Sequence, residues 1–297
     1  MAAVVVTFNR RYLLRECLEA LLTQTRPLDE IIVVDNASTD QTCAMLAERF
    51  PTVTIVALDE NLGGAGGFAE GIKVAYAHGH DWIWLLDDDA IPHPEALMYL
   101  LKNVRTAQNS KFFIGSLPRS KDSDELVWPV KVGKEWISNL TQIPSEHFEP
   151  DFLPFLGLLI PAQAVVEVGL PRADFFVVLD DVEYCYRAKM KGYTLIGIPA
   201  SVVYHPMPLR KSFRLFKRTV FVESLPPWKG YYDIRNRILL SLEYEGLMFC
   251  FKRLPILLFR IILSLLYWGV KGNTLRLYAR GLLDGLKGRT GKLVIPQ

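Results

Sequence analysis

Apolar and polar positions along the first ninety residues repeat with two alternating periods. Compact, β-branched runs at Ala2 to Phe8, Ile31 to Val34, Val53 to Ala57 and Trp82 to Leu86 predict buried strands. Between them lie amphipathic stretches. In Tyr12 to Leu22 the residues Leu13, Leu14, Cys17, Leu18, Leu21 and Leu22 share one helical face. A second helix is expected up to about Phe50, with Ser38 or Thr39 as candidate cap, and a third over Gly66 to His78. The order β-α-β-α-β-α-β predicts a parallel sheet, and in such sheets ligands sit beyond the carboxyl ends of the strands.

The pattern weakens over Ser120 to Pro150, where loops and short strands are expected near the acceptor side. It resumes with an apolar strand at Phe155 to Ile160 and a short helix from Pro161 to Val168. The run Phe175 to Leu179 then ends in Asp180, Asp181 and Glu183, where another helix begins. Short strands follow at Thr194 to Ile198 and Ser201 to Tyr204, the second delivering His205. Residues 209 to 218 are basic with interleaved aromatics, suited to an anionic membrane surface, a diphosphate-lipid, or a solvated loop. Tyr231 to Leu242 predicts a helix. Leu247 to Val270 is mostly apolar but is broken by Lys252, Arg253, Pro255 and Arg260, so an in-plane helix fits better than a spanning one. Packing on the catalytic part, or in a homodimer, is the alternative for these helices. A further helix is expected over Leu275 to Leu286.

A chain of 297 residues with net charge +2 fits one large domain with an appendage, or two small ones, and its balanced charge gives no reason to expect nucleic acid. Cys17, Cys43, Cys185 and Cys250 are scattered without metal-like pairing, which points to a reducing compartment. No basic region precedes an apolar run at the N-terminus, so export is not expected. Hydrophobic residues make up 50% of the chain, and the excess is concentrated near the C-terminus.

The candidate chemistry lies at the strand ends. Asp87, Asp88 and Asp89 close the fourth strand, a costly arrangement unless a cation is present. Strand alternation lets Asp87 and Asp89 converge on one divalent ion, with Asp88 facing the other way; a solvated acidic turn is the plainer alternative. The stretch Asn61 to Phe68 carries Gly63, Gly64, Gly66 and Gly67 and reads as a phosphate cradle or as a flexible turn into a helix. It matches neither the P-loop nor the dinucleotide fingerprint.

Taken in order, Val5-Val6-Thr7-Phe8-Asn9-Arg10, Val33-Val34-Asp35-Asn36-Ala37-Ser38, Asn61 to Phe68, Asp87-Asp88-Asp89 and Leu179-Asp180-Asp181-Val182-Glu183 resemble family 2 glycosyltransferases. The resemblance spans roughly residues 1 to 245. It is most like bacterial galactofuranosyltransferases and rhamnosyltransferases, which share the glycine loop, the triple aspartate and the element Tyr231-Tyr232-Asp233-Ile234-Arg235-Asn236. It implies an α/β fold of the glycosyltransferase-A type, Rossmann-like with a mostly parallel sheet and a helical C-terminal extension. Residues 1–208 would form the catalytic, nucleotide-sugar-binding domain, and 209–297 a membrane- or partner-associating region. By the same resemblance Thr7 and Arg10 lie along the nucleotide and Asp35 bonds the base, with Asn61, Gly63, Gly64 and Asp88 also placed at the donor. Asp87, Asp89 and His205 hold Mn2+ or Mg2+. Asp181 is the general base, and Asp180 stands where many relatives carry Glu.

The expected reaction is inverting transfer of galactofuranose from UDP-galactofuranose to a glycan acceptor on a polyprenyl diphosphate, in bacterial surface polysaccharide synthesis at the cytoplasmic membrane face. Rhamnose from dTDP-rhamnose is the rival. A non-catalytic sugar-nucleotide-binding subunit would be expected to lack carboxylates that are present here. A nucleotidyltransferase would want a basic, glycine-rich N-terminal signature where Thr7-Phe8-Asn9-Arg10 stands.

Overall fold

The computed structural model describes residues 1–104, 111–132, 135–143, 146–215, 218–246, 248–270 and 272–296. Two compact units divide the chain: residues 1–173 with 181–207, and residues 174–180 with 208–297.

The first unit opens with β1 (Ala2–Thr7), α1 (Arg11–Leu22), β2 (Glu30–Asp35), α2 (Thr42–Arg49), β3 (Thr54–Ala57), α3 (Gly63–Ala77) and β4 (Trp82–Asp87). These four strands pair in parallel in the order β3-β2-β1-β4, as the sequence predicts. Period-two alternation sorts their side chains onto two faces. Val4, Val6, Ile32, Val34, Ile83 and Leu85 pack on one side with Phe68 and Ile72 of α3. Ala3, Val5, Ile31, Val33, Trp84 and Leu86 pack on the other with Leu14, Leu18 and Leu21 of α1 and Leu46 of α2. Each fully buried aliphatic side chain contributes on the order of 1.5–3 kcal/mol before entropy is counted. The sheet is therefore covered on both faces, which is why its strands read as continuous apolar runs.

After β4 come β5 (Ile91–Pro92), α4 (Ala96–Val104), β6 (Phe112–Arg119), β7 (Glu125–Val132), β8 (Glu135–Asn139), β9 (Leu158–Pro161), α5 (Gln163–Glu167), α6 (Asp180–Met190) and β10 (Thr194–Tyr204). The sheet continues β4-β9-β6-β10-β5, with β9 antiparallel to both neighbours. No single helical crossover joins β4 to β9; the chain first builds β6, β7 and β8 and returns from the opposite end. The loops and short strands expected between Ser120 and Pro150 include the antiparallel pair β7 and β8. The two short strands expected near residues 194–204 are one strand whose register shifts between Ile198 and Val202. The apolar run Phe175 to Leu179 is irregular: Ala173–Phe175 is a 3-10 turn, and Phe176, Val178 and Leu179 have φ of 65°, 68° and 67°.

The second unit contains the hairpin β11 (Arg210–Leu215) with β12 (Arg218–Glu223), then α7 (Pro227–Glu245), α8 (Met248–Lys252), α9 (Leu254–Trp268) and α10 (Thr274–Leu286). Hairpin pairing replaces the loop reading of residues 209–218; Phe216 and Lys217 of that stretch lie outside the described residues. The apolar stretch expected as one in-plane helix is divided between α8 and α9, and Leu247 also lies outside the described residues. Helices α7 and α10 approach closely. A Cβ at Gly281 would meet the Tyr231 carbonyl oxygen at 2.8 Å.

Candidate active site

The carboxyl ends of β1, β2 and β4 lie side by side because Thr7 pairs with Asp35, and Val6 with Asp87, in parallel register. Thr7 Oγ1 donates to Asp88 Oδ2 at 2.8 Å. Arg10 Nη1, one turn beyond β1, donates to Asp88 Oδ1 at 3.1 Å and to Asp89 Oδ2 at 2.8 Å. The other oxygen of Asp89 lies 3.2 Å from His205 Nε2. Thr7, Arg10, Asp88, Asp89 and His205, far apart in the chain, thus form one connected group.

Charge in this group is set by burial against pairing. Burial pushes the Asp88 carboxyl up to about 6, with Arg10 and Thr7 only partly offsetting it and Asp89 adding to it. Asp89 is subject to the same desolvation, but the hydrogen bond and charge of His205, together with Arg10, hold it below the usual carboxylate range. Burial lowers the Arg10 pKa, yet Asp88 and Asp89 more than compensate, so it lies above its ordinary value.

His205 Nδ1 lies 2.7 Å from the Pro206 carbonyl oxygen, so that nitrogen carries a proton. Its Nε2 faces the Asp89 carboxylate. A backbone acceptor on one imidazole nitrogen is the arrangement that orients the other toward a metal. Two carboxylates and one imidazole also suit Mn2+ or Mg2+ in donor chemistry, so Asp87, Asp89 and His205 fit such an ion. They are not drawn into a ligand shell. Among the described residues, the one group of three whose ligand atoms all lie within 4.8 Å of one another is Glu30, His78 and His80, elsewhere in the unit.

Asp35 is buried, with Oδ1 accepting from the Ser38 N–H at 3.2 Å and Oδ2 from the Cys43 thiol at 2.8 Å. Burial and this carboxylate raise the Cys43 pKa to about 11. The first two loops are tied together: the Asn9 N–H donates to Ser38 Oγ, the Thr39 N–H to Asn9 Oδ1, and the Arg11 N–H to Asp40 Oδ2. These bonds occupy Ser38, the expected helix cap, and α2 starts later at Thr42 with Gln41 in its cap position. An open cleft of about 580 Å³ is lined by Asn9, Arg10, Tyr12, Thr39, Asp40 and Gln41 among others.

The glycine stretch has a packing role that its sequence does not advertise. A Cβ at Gly67 would lie 2.5 Å from Val6 Cγ1 and 2.9 Å from Asn36 Nδ2, and one at Gly71 would lie 2.3 Å from Val4 Cγ1. These glycines let α3 lie directly on β1 and β2. Asn61 Oδ1 accepts from the Gly63 N–H at 2.7 Å, and Asn36 holds the same turn through the Leu62 N–H and the Gly63 carbonyl. Asn61 thus shapes the turn and Gly63 opens α3 with φ 74°. Asn36 emerges as the residue that ties β2 to this turn; its only sequence signal is its place beside Asp35.

Asp181 stands at the start of α6, with Oδ1 accepting the Val182 N–H at 2.7 Å. Burial outweighs that bond and raises its pKa to about 6. Glu183, fully buried one turn along, is paired with Arg187 Nε at 2.7 Å, and Arg187 also donates to the carbonyls of Val168 and Leu170. In the second unit, Asn236 Nδ2 donates to the carbonyls of Phe175, Val177 and Val178 at 3.0, 2.9 and 2.8 Å, and Arg235 Nη2 to those of Asp174 and Phe175. This clamp holds the left-handed residues that run directly into Asp180 and Asp181.

Residues 2–157 match the family described as Glycosyl transferase family 2. Galactofuranosyltransferase GlfT1 of Mycolicibacterium smegmatis is 34% identical over 213 residues, spanning 69% of this chain and 70% of that protein. The protein of the same name from Mycobacterium tuberculosis is 32% identical over 215 residues, spanning 69% of each. GalNAc-T7, in a crystal structure with UDP, GalNAc and Mn2+, is similar with a TM-score of 0.63 at 15% identity, over 96% of this chain and 54% of that one. A mannosyltransferase of Pyrobaculum calidifontis in complex with GDP-Man and Mn2+ gives 0.56 at 17%, over 96% and 80%. At such identities the structural likeness speaks to the fold, which is of the glycosyltransferase-A type.

Proposed function

Because the chain belongs to glycosyl transferase family 2, a member similar to galactofuranosyltransferases, we propose that it moves galactofuranose from UDP-galactofuranose to a glycan acceptor with inversion. The observation that carries the reading is the linked group at the carboxyl edge of the sheet, where Thr7, Arg10 and His205 converge on Asp88 and Asp89. It supplies fixed donors and cations where a nucleotide diphosphate would lie. Arg10 is the group that would meet the phosphates, and Asp35 the one that would meet the base. Asp87, Asp89 and His205 would hold Mn2+ or Mg2+, which when bound neutralises charge on the departing diphosphate. Asp181, with its pKa raised toward neutrality, takes the proton from the acceptor hydroxyl as its oxygen attacks the anomeric carbon, a contribution of roughly 10²–10⁴-fold.

In this reading residues 1–208 carry catalysis and 209–297 association, with a lipid-linked acceptor at the membrane surface. Support comes from α9, which exposes Leu258, Ile262 and Leu266 at i, i+4 spacing, and from exposed Phe251 beside Lys252 and Arg253. Among the described residues no helix is long and apolar enough to cross a membrane. The deciding experiment is nucleotide release from a panel of nucleotide sugars with a lipid-linked glycan acceptor, with Mn2+ or with chelator. Metal-dependent release of UDP from UDP-galactofuranose alone is expected; release of dTDP from dTDP-rhamnose would reassign the sugar, and metal-independent turnover would remove the metal role of Asp87, Asp89 and His205.

A further inference from the structure

At the opposite edge of the same sheet, Glu30 opens β2 while Asp35 closes it, so about 17 Å of strand separate the two. Glu30 Oε2 lies 2.6 Å from His80 Nε2, and both its oxygens lie 3.1 Å from His78 Nδ1. We infer that Glu30, His78 and His80 form a binding site for a divalent transition-metal ion, Zn2+ by its donor set, independent of the glycosyl-transfer site.

Geometry carries this assignment. The three ligand atoms all lie within 4.8 Å of one another. Around a tetrahedral Zn2+ with bonds of about 2.0–2.1 Å, neighbouring ligand atoms stand about 3.3 Å apart, so the present spacings need open by only a fraction of an ångström on the Glu30 side. Two imidazoles and one carboxylate leave a fourth position for water, and this mixed nitrogen and oxygen set favours Zn2+ over Mg2+ or Ca2+.

The ligands are also held by regular structure. His78 is the C-cap of α3, Gly79 follows with φ 77°, and the Gly79 and His80 N–H groups return to the carbonyls of Tyr76 and Ala75. That pair of bonds is a Schellman closure, which presents residues 78 and 80 on the same side of the helix end. Glu30 is fixed from the strand side by Thr54 Oγ1, which donates to Oε1 at 2.6 Å. His78 is half-exposed and gives the ion an entry path, whereas His80 is largely covered. Coordination through His80 Nε2 moves the ring proton to Nδ1, which now lies 3.1 Å from the Met1 nitrogen; that contact gives way on binding.

The test uses the full chain, stripped with chelator and re-equilibrated with Zn2+, comparing wild type, Glu30→Gln, His78→Ala and the pair Asp87→Asn with Asp89→Asn. Metal content and calorimetric titration should give a site that survives in the Asp87/Asp89 variant and is lost in Glu30→Gln and His78→Ala. Co2+ in its place should show a tetrahedral ligand-field spectrum in the same variants that retain Zn2+. At a hundredfold excess over Kd, Zn2+ should raise the thermal midpoint of wild type by roughly 5 °C and leave that of His78→Ala unmoved. Since the His78 side chain is half-exposed, its removal leaves a folded protein on which the readout stands even if Glu30→Gln does not fold. Zinc lost only in the Asp87/Asp89 variant, or no retained zinc in wild type, overturns the assignment.

Discussion

The two acidic segments, Asp87 to Asp89 and Asp180 to Asp181, reach their positions by opposite means. The first begins at the end of a regular parallel strand, where register fixes Asp87, and Asp88 and Asp89 follow in a turn held by Thr7 and Arg10 from the adjoining strand end. The second follows three non-glycine residues with left-handed backbone, each a strain of about 1–3 kcal/mol. That strain persists because Asn236 and Arg235, some sixty residues later, bond the segment's carbonyls. Regular structure needs only its own period, whereas strained structure needs partners that overdetermine it. A carboxylate built on strain depends on residues that never touch a substrate.

That contrast can be broken at its strained side first. Asp181→Asn should cut transfer by roughly 10²–10⁴-fold while nucleotide-sugar binding, read by calorimetry, persists; undiminished turnover would remove Asp181 as base. Asn236→Ala removes the amide donor from the Val177 and Val178 carbonyls and one of the donors from that of Phe175, and should lower kcat by about 10–100-fold through misplacement of Asp181, at unchanged donor KM. Its unfolding free energy should also fall by about 2–3 kcal/mol in denaturant melts. A lowered KM-independent stability with normal kcat would leave the clamp a purely structural element.

The pH dependence sharpens the same comparison. A base with pKa near 6 makes kcat fall as pH drops through 6, about tenfold per unit below it. Stability moves the other way for this group: the folded state binds the proton at higher pH than the unfolded chain, so its share of stability rises as pH falls from about 6 to 4. Asp181→Asn should flatten both trends. On the regular side, Gly67→Ala should destabilise by about 1–3 kcal/mol, since the methyl must displace Val6 or Asn36. The smallest effect is expected at Lys73→Ala, an exposed pair with Glu70, at under about 0.5 kcal/mol.

How much the sequence discloses follows the same line. Strands β1 to β4 and the triple aspartate are legible because period two and a sudden run of carboxylates are local signals. The partnership of Asp89 with His205 is not local, and only the family resemblance brings them together. The antiparallel entry of β9 is invisible because Leu158 to Pro161 carries no mark of direction. Phe176, Val178 and Leu179 read only as an apolar run; nothing local announces their left-handed backbone, which tertiary bonds from Asn236 hold. Gly67 belongs to a stretch that reads as a phosphate cradle, yet what it spares is a collision with Val6, as Gly71 one turn on spares one with Val4.

The mutual bonds between Asn9, Ser38 and Thr39, and between Arg11 and Asp40, have a thermodynamic consequence for whatever enters the cleft beside them. Two loops that brace each other have already lost the freedom that a ligand would otherwise have to remove. Ordering entropy is spent during folding, and an incoming ligand meets donors and acceptors at fixed spacing. Association at this edge is then governed by diffusion and by desolvation of the ligand, with no wait for loops to find their shape.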